Sequence, residues 1–405
     1  MRGAVLAIGT ELLLGDVINS NAAWLGKQLA ASGVQVVANE ALADDLDVLV
    51  PAIHRHLADV DVLVLCGGLG PTLDDLTRDA IAAALDLPLQ QDADRVTMLR
   101  DRFAAFGREM PPAVLRQADV PTGAEPLANS AGTAPGLWVP WKGKVVVALP
   151  GPPHELRAAS VLVWPRLAEL SGSVVTTRQV LLSGLGESAV AERVEAVLPT
   201  LPEGVSRSYL ASGAIVRVRF TTSGDAAVLA PLVATAADAV SDHVWGYDDD
   251  TLDGVCHDLL AARGETVGVA ESLTGGLLSG QLSARPGASA TFRGGLVVYA
   301  TDLKATLAGV DLAHGPVSPE TAAALAAGAR DRLGATWGLA CTGVAGPDGQ
   351  DGKPVGTVFV AVDGPTAEVR ELRLPGDRDR IRTMTVTSAL DLLRAHLRKP
   401  HLRNT

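Results

Sequence analysis

A largely apolar run, Thr266-Val267-Gly268-Val269-Ala270, ends at Glu271-Ser272-Leu273-Thr274-Gly275-Gly276, and helical spacing follows from Leu277 to Leu282. An apolar run without alternation is buried on both faces, so this stretch reads as a core strand passing through a glycine turn into a helix. Ser272 therefore sits on the turn, where free N–H groups of the first helical turn point at whatever docks there. Such a turn suits a nucleophile with an oxyanion site. It equally suits a plain helix N-cap at Ser272 or Thr274.

The same alternation recurs along the chain. Ala4 to Ile8 reads as a strand, Ser20 to Ala31 as a helix with Ala23, Leu25 and Leu29 on one face, and Gly33 as its stop before a second strand, Val34 to Val37. Asp61 to Cys66 is a third strand ending in a glycine loop. Lys144 to Leu149 runs into the stiff Pro150-Gly151-Pro152-Pro153, with Glu155 opening the next helix. Strands alternating with helices predict a mostly parallel sheet covered on both faces, an α/β domain over residues 1–170. From 171 to 248 the pattern changes. Thr176 to Leu182 and Ala214 to Thr221 alternate apolar and polar residues, as strands with one wet face do, in a small α+β module. Asp248-Asp249-Asp250 reads as a solvated break. A second α/β domain, 249–405, then carries strands at Val267–Ala270, Leu296–Tyr299, Gly338–Cys341 and Thr357–Val362. A length of 405 residues fits two or three such domains.

Composition removes several function classes. No run of about 18 apolar residues exists, so no membrane span is expected, and the short apolar start reads as a strand, not a signal peptide. Three cysteines, Cys66, Cys256 and Cys341, are far apart and odd in number, which points to a reducing cytoplasm. A net charge of −12 argues against general affinity for nucleic acid or an anionic membrane. A substrate phosphate would have to be captured by loops and single basic residues.

Ser272 needs a base. His314 lies in an Ala-His-Gly turn without an obvious carboxylate partner, and His396 and His401 lie in the tail, so a Ser-His-Asp triad finds weak support. Lys304 follows a strand and can return to the same sheet edge. It acts as a base only when neutral, which requires desolvation or a nearby cation. The alternative is a surface lysine in a helix that ends at Gly309. The loop Thr342-Gly343-Val344-Ala345-Gly346-Pro347-Asp348-Gly349 also follows a strand, and its glycines would let N–H groups approach an anion. It reads equally as a flexible turn. Arg378, before the final helix, reads as a phosphate clamp or a surface residue.

In the N-terminal half, Gly67-Gly68-Leu69-Gly70-Pro71-Thr72-Leu73-Asp74-Asp75-Leu76-Thr77 follows the third strand and opens a helix. Thr72 and Asp75 resemble a capping box, and the glycines suit a phosphate cradle. The adjacent carboxylates Asp74 and Asp75 suit a hard divalent cation, or only the start of the helix. Gly9-Thr10-Glu11 opens a similar loop after the first strand.

Together these pieces resemble the competence/damage-inducible protein A (CinA) family. In the C-terminal half the resemblance runs over Ala270 to Gly276, Pro286-Gly287-Ala288-Ser289, Gly294-Gly295, Tyr299, Lys304, Gly315-Pro316-Val317-Ser318, Cys341 to Pro347 and Pro354-Val355-Gly356-Thr357. It implies a nicotinamide mononucleotide amidase domain, with Ser272 as nucleophile, Lys304 as its base and no metal. Glu271, Thr274, Gly275, Gly276, Tyr299, Thr342, Gly343, Gly346 and Arg378 are then expected around the substrate. The Gly275 and Gly276 amides, with Thr274 or Thr342, are the expected oxyanion or phosphate contacts. The chain departs from the family at Leu273, where cysteine is usual, and at Thr301, where asparagine is usual.

The N-terminal half resembles the molybdopterin-binding-like domain that begins CinA proteins, through Gly9-Thr10-Glu11, Asn19, Asn21, the Gly67 to Thr77 motif, Asn129, Gly132 to Gly136 and Pro150 to Glu155. It implies an ADP-ribose pyrophosphatase site. Gly9, Thr10, Glu11, Asn21, Gly67, Gly68, Gly70, Thr72, Gly151 and Glu155 are expected to contact the nucleotide, and Asp44, Asp74 and Asp75 to hold Mg²⁺, Mn²⁺ or Co²⁺. Pterin binding without hydrolysis is the competing expectation. The middle module is KH-like in the family. Residues 171–250, however, hold five arginines and no lysine against ten acidic residues, without a Gly-x-x-Gly loop. Nucleic acid is therefore not expected as a partner. A homodimer acting on small nucleotides is.

Overall fold

The computed structural model describes residues 1–172 and 174–399. It comprises two compact units, one formed by Met1–Thr176 with Thr222–Asp225 and the other by Thr177–Thr221 with the chain from Ala226 onward. Among the described residues no helix is long and apolar enough to cross a membrane.

The first unit is built on β1 (Arg2–Ile8), β2 (Gln35–Leu42), β3 (Val62–Cys66), β6 (Glu125–Leu127), β7 (Gly136–Trp141) and β8 (Lys144–Leu149), with a separate ribbon of β4 (Leu89–Gln91) and β5 (Asp119–Pro121). The six-stranded order is β2-β1-β3-β8-β7-β6. The first four strands are parallel, and β7 and β6 run antiparallel at one edge. Side chains alternate across a strand, so each strand feeds two cores. Leu63, Leu65, Val146 and Ala148 pack on one face, and Val62, Val64, Val145 and Val147 on the other. Each fully buried Val or Leu contributes about 1.5–3 kcal/mol. The second strand starts at Gln35 and continues through polar Asn39 and Glu40 to Leu42, because β2 is an edge strand with alternating burial. Gly67 has φ +109°, and a Cβ there would lie 2.2 Å from the Ile8 carbonyl oxygen. Only glycine lets the end of β3 cross that close to β1.

In the second unit, β9 (Thr176–Ser183), β10 (Val205–Ser212), β11 (Ile215–Thr222) and β12 (Val244–Tyr247) form a sheet of order β10-β11-β9-β12. Val216, Val218 and Phe220 of β11 are buried on one face against the helices Glu187–Val197 and Leu229–Ala239. The remaining sheet contains β13 (Val267–Glu271), β14 (Phe292–Val297), β15 (Trp337–Gly343), β16 (Thr357–Asp363) and β17 (Glu368–Arg373), in the order β14-β13-β15-β16-β17. The first three strands are parallel and the last two antiparallel. Val267 and Val269 face the helices Leu252–Arg263 and Arg378–Arg398, while Ala270 and Ala340 face the helix Pro319–Leu333. The strand expected at Leu296–Tyr299 lies earlier, at Phe292–Val297. The Gly294-Gly295 pair lies inside this edge strand, and Tyr299 falls in the loop beyond it. The fold is thus α/β with several sheets.

Candidate active site

From β13 the chain crosses to β14 on one side and then to β15 on the other, so the carboxyl ends of these strands frame the crevice where open α/β sheets bind ligands. The Ser272 N–H donates to the Cys341 carbonyl at 3.1 Å, which carries the β13–β15 ladder one residue further. The chain then turns, with Gly275 N–H donating to the Ser272 carbonyl at 3.1 Å. Gly275 and Gly276 take φ +58° and +101°, which a side chain would resist.

Glu271, expected at the substrate, is instead fully buried beneath this turn. Its carboxylate accepts from Thr274 Oγ1 at 2.7 Å, Gly276 N–H at 3.1 Å, Leu278 N–H at 3.0 Å and Ser279 N–H at 2.8 Å, and from the Ser279 hydroxyl. It is a built-in anion that organises the start of the helix Leu277–Ser283. The expected oxyanion donors are thereby corrected. Gly276 N–H and the Thr274 hydroxyl are bound to Glu271, Gly275 N–H to Ser272, and the Thr342 hydroxyl to the Pro316 carbonyl at 2.7 Å. The Thr274 N–H is directed at the Cys341 sulfur, which leaves Leu273 as the position of the turn whose N–H group meets no acceptor among the described residues. On the other side of the turn, Arg382 donates from Nε to the Leu273 carbonyl at 3.0 Å and from Nη2 to the Thr274 carbonyl at 2.9 Å.

Lys304 lies on the helix Thr301–Ala308, which begins just past β14. It is 2% exposed, so the surface reading of this residue is overturned. Nζ donates to the Val298 carbonyl at 3.2 Å. Burial pushes the ammonium pKa below its ordinary 10.5, and the nearby Cys341 opposes the shift. Cys341 itself is driven up to about 12 by burial, so it stays a thiol and supplies no anion at neutral pH. Ser272, 8% exposed, and Lys304 line one cavity of about 440 Å³.

The same cavity brings together residues far apart in sequence. Tyr299, Thr301, Pro316, Val317, Gly343, Gly346 and Arg378 line it. Arg378 donates to the Tyr299 hydroxyl and to the Gly346 carbonyl, both at 2.7 Å, and so ties two walls together at the rim. Asp348 and Gln350 also line the cavity and were not singled out in the sequence, where they read only as loop residues. Arg382 was missed as well, although its place one helical turn after Arg378 is a usable signal. His396 is engaged by Glu368 at 2.9 Å and by Thr366, and His314 does not line the cavity. His401 lies outside the described residues.

In the first unit, Glu11, Asn21 and Gly151 line a small cavity of about 120 Å³ together with Cys66. Asn21 donates to the Gly151 carbonyl at 2.6 Å. Burial raises the Cys66 thiol to about 12. The other expected residues serve the loops themselves. The Asp44 carboxylate accepts from the Thr10 N–H at 2.9 Å and the Thr10 hydroxyl at 3.2 Å, beside Gly9. Asp75 accepts from Gly70 N–H at 2.7 Å, Thr72 N–H at 2.8 Å and the Thr72 hydroxyl. This closes the loop on itself and does not cap the helix, which starts only at Thr77. The Gly67 carbonyl accepts from the Thr77 hydroxyl and the Gly68 carbonyl from the Thr77 N–H. The Leu69 and Gly70 carbonyls accept from buried Arg78 at 2.6 and 2.8 Å. Glu155 accepts from Asn129 at 2.8 Å. Asp74 is exposed. Among the described residues no three His, Cys, Asp or Glu side chains stand close enough together to hold a metal ion. Asp44, Asp74 and Asp75 do not come together as one cluster, and Asp44 and Asp75 already accept from backbone amides.

The CinA C-terminal domain model matches residues 249–397, and a model described as "Probable molybdopterin binding domain" matches residues 4–169. A CinA-like protein of Frankia casuarinae is 49% identical over 98% of this chain and 96% of its own length. A protein of Desulforudis audaxviator named as competence-damage inducible is 40% identical over 98% of this chain and all of its own. A crystal structure of CinA from Thermoplasma acidophilum, described as of unknown function, is 34% identical and covers 41% of this chain and 99% of its own, at a TM-score of 0.39.

Proposed function

The chain belongs to the CinA family, and from that premise we propose that its C-terminal cavity hydrolyses the carboxamide of nicotinamide mononucleotide to nicotinic acid mononucleotide and ammonia. The observation that carries this reading is a buried serine and a buried lysine of depressed pKa on one cavity at a sheet edge. Neutral Lys304 takes the Ser272 proton as Oγ attacks the carboxamide carbon. The oxyanion is met by the free N–H group of Leu273, which replaces the donors expected from the sequence. Lys304 returns the proton to the leaving nitrogen, and ammonia departs. A water deprotonated by Lys304 then attacks the acyl-enzyme and releases the acid. Arg378, bridged to Tyr299 and Gly346, supplies the fixed cation that a nucleotide phosphate needs. The test is ammonia release from nicotinamide mononucleotide by purified protein, with the Ser272→Ala variant beside it. Undiminished turnover by that variant would remove Ser272 from the chemistry.

For the N-terminal domain the carboxylate arrangement supports no step routed through a cation. ADP-ribose turnover with Mg²⁺, Mn²⁺ or Co²⁺, set against molybdopterin binding, decides between pyrophosphatase and pterin site.

A further inference from the structure

We infer that Arg382 is a positioning residue for the acyl-transfer chemistry, holding the free Leu273 amide of the serine turn in place. The inference rests on the amidase reading above for its substrate but not for its geometry. A trans peptide points its C=O and its N–H in opposite directions. Arg382 Nε holds the Leu273 carbonyl at 3.0 Å, so the Thr274 N–H of that peptide is turned away from the guanidinium. Arg382 Nη2 holds the Thr274 carbonyl at 2.9 Å, which directs the Gly275 N–H of the next peptide to the Ser272 carbonyl. That bond in turn fixes the Ser272–Leu273 peptide and its N–H. One guanidinium thus sets three successive peptide planes. A planar fork with fixed donors does this where a single ammonium cannot.

The carboxylate beneath and the guanidinium beside the turn have different tasks. Glu271 holds the Gly276, Leu278 and Ser279 amides, which begin the helix, whereas Arg382 holds carbonyls of the turn and leaves the Leu273 amide free. Its remaining partner is the Asp379 carboxylate one turn back, 3.4 Å from Nη1 and largely exposed. Nothing in these contacts reaches the rim where Arg378 sits, so losing Arg382 should alter the reaction more than substrate binding.

The test uses the full chain and two readouts. The first is turnover of nicotinamide mononucleotide. The second is labelling by a fluorophosphonate, in which the Ser272 Oγ–P bond forms as the P–F bond breaks, fluoride leaves and the proton passes to Lys304. Loss of an oriented oxyanion donor costs about 10²–10³-fold in rate. Arg382→Met should lower kcat by roughly that factor with KM changed by less than about threefold, and should slow labelling in parallel. Arg382→Gln keeps one donor and should fall between Met and the parent, which gives a reading if the Met variant does not fold. Labelling of folded Arg382→Met or Arg382→Gln at the parental rate would overturn the inference, as would a loss confined to KM. A parent that is labelled at Ser272 yet releases no ammonia would defeat the amidase reading alone, and Arg382 would still be judged from labelling.

Discussion

The glycine loop after β3 and the serine turn after β13 are alike in sequence and differ in what they leave open. Both follow a fully buried parallel strand, both lead into a helix, and both carry a carboxylate that reads as a ligand for something external. In both, that carboxylate is the loop's own anion: Asp75 takes the Gly70 and Thr72 amides, and Glu271 takes the Gly276, Leu278 and Ser279 amides. The first loop is then also clamped through its carbonyls by Thr77 and Arg78. The second retains one free amide, that of Leu273, beside a serine, with a buried lysine on the same cavity. An acidic residue beside a glycine loop is thus first a candidate for internal amide satisfaction, and what remains unpaired marks the site.

The largest effects should separate the two regions by function. Ser272→Ala is expected to lower amidase turnover by at least about 10³-fold with nucleotide binding retained, measured by ammonia release and calorimetry. Lys304→Ala should cost about 10²–10⁴-fold. A pH profile sharpens the assignment. The lysine pKa is depressed, so the rising limb of kcat/KM should have its midpoint below 10.5, and Lys304→Arg should lack that limb because a guanidinium stays charged. The linked stability has a definite sign. The folded state disfavours the ammonium, so the lysine destabilises the fold below its folded pKa, and this penalty fades as pH rises towards 10.5. The stability of the parent relative to Lys304→Met should therefore increase across that window in denaturant titrations, and a decrease would contradict burial as the cause.

Smaller effects test the shared device. Glu271→Gln leaves buried amides without a charged acceptor and should cost about 3 kcal/mol, or roughly 6–12 °C in the Tm of its domain. Asp75→Asn closes a half-buried loop less well and should cost about 1 kcal/mol, seen as faster hydrogen exchange at Gly70 and Thr72. Equal losses at the two positions would break the comparison, because Glu271 is the more deeply buried and holds more donors.

Much of this was legible in the sequence. Unbroken apolar runs announced β1, β3, β8, β13 and β15, because strands covered on both faces need no alternation. The serine, the lysine and the loops that meet at the cavity were all marked by motif and by position after a strand. Edge elements were harder to read. β17 is Glu-Val-Arg-Glu-Leu-Arg, a charged edge strand without an apolar signature, and β14 hides behind two glycines. Hydrogen-bond partners were illegible, since a carboxylate looks the same whether it faces a cation or a row of amides. Glu271 was misread for that reason. Arg382 was overlooked because its partners are main-chain carbonyls more than a hundred residues away.

Each half of the molecule also carries dormant sulfur. Cys66 sits within the packed interior around β3, and Cys256 and Cys341 within that around β13, all three shielded and held as thiols. Alkylating reagents attack the thiolate, so they have nothing to attack until a domain opens. Mass-resolved alkylation of the three positions would therefore act as a pair of independent clocks, each timing the breathing of one domain without any label being introduced.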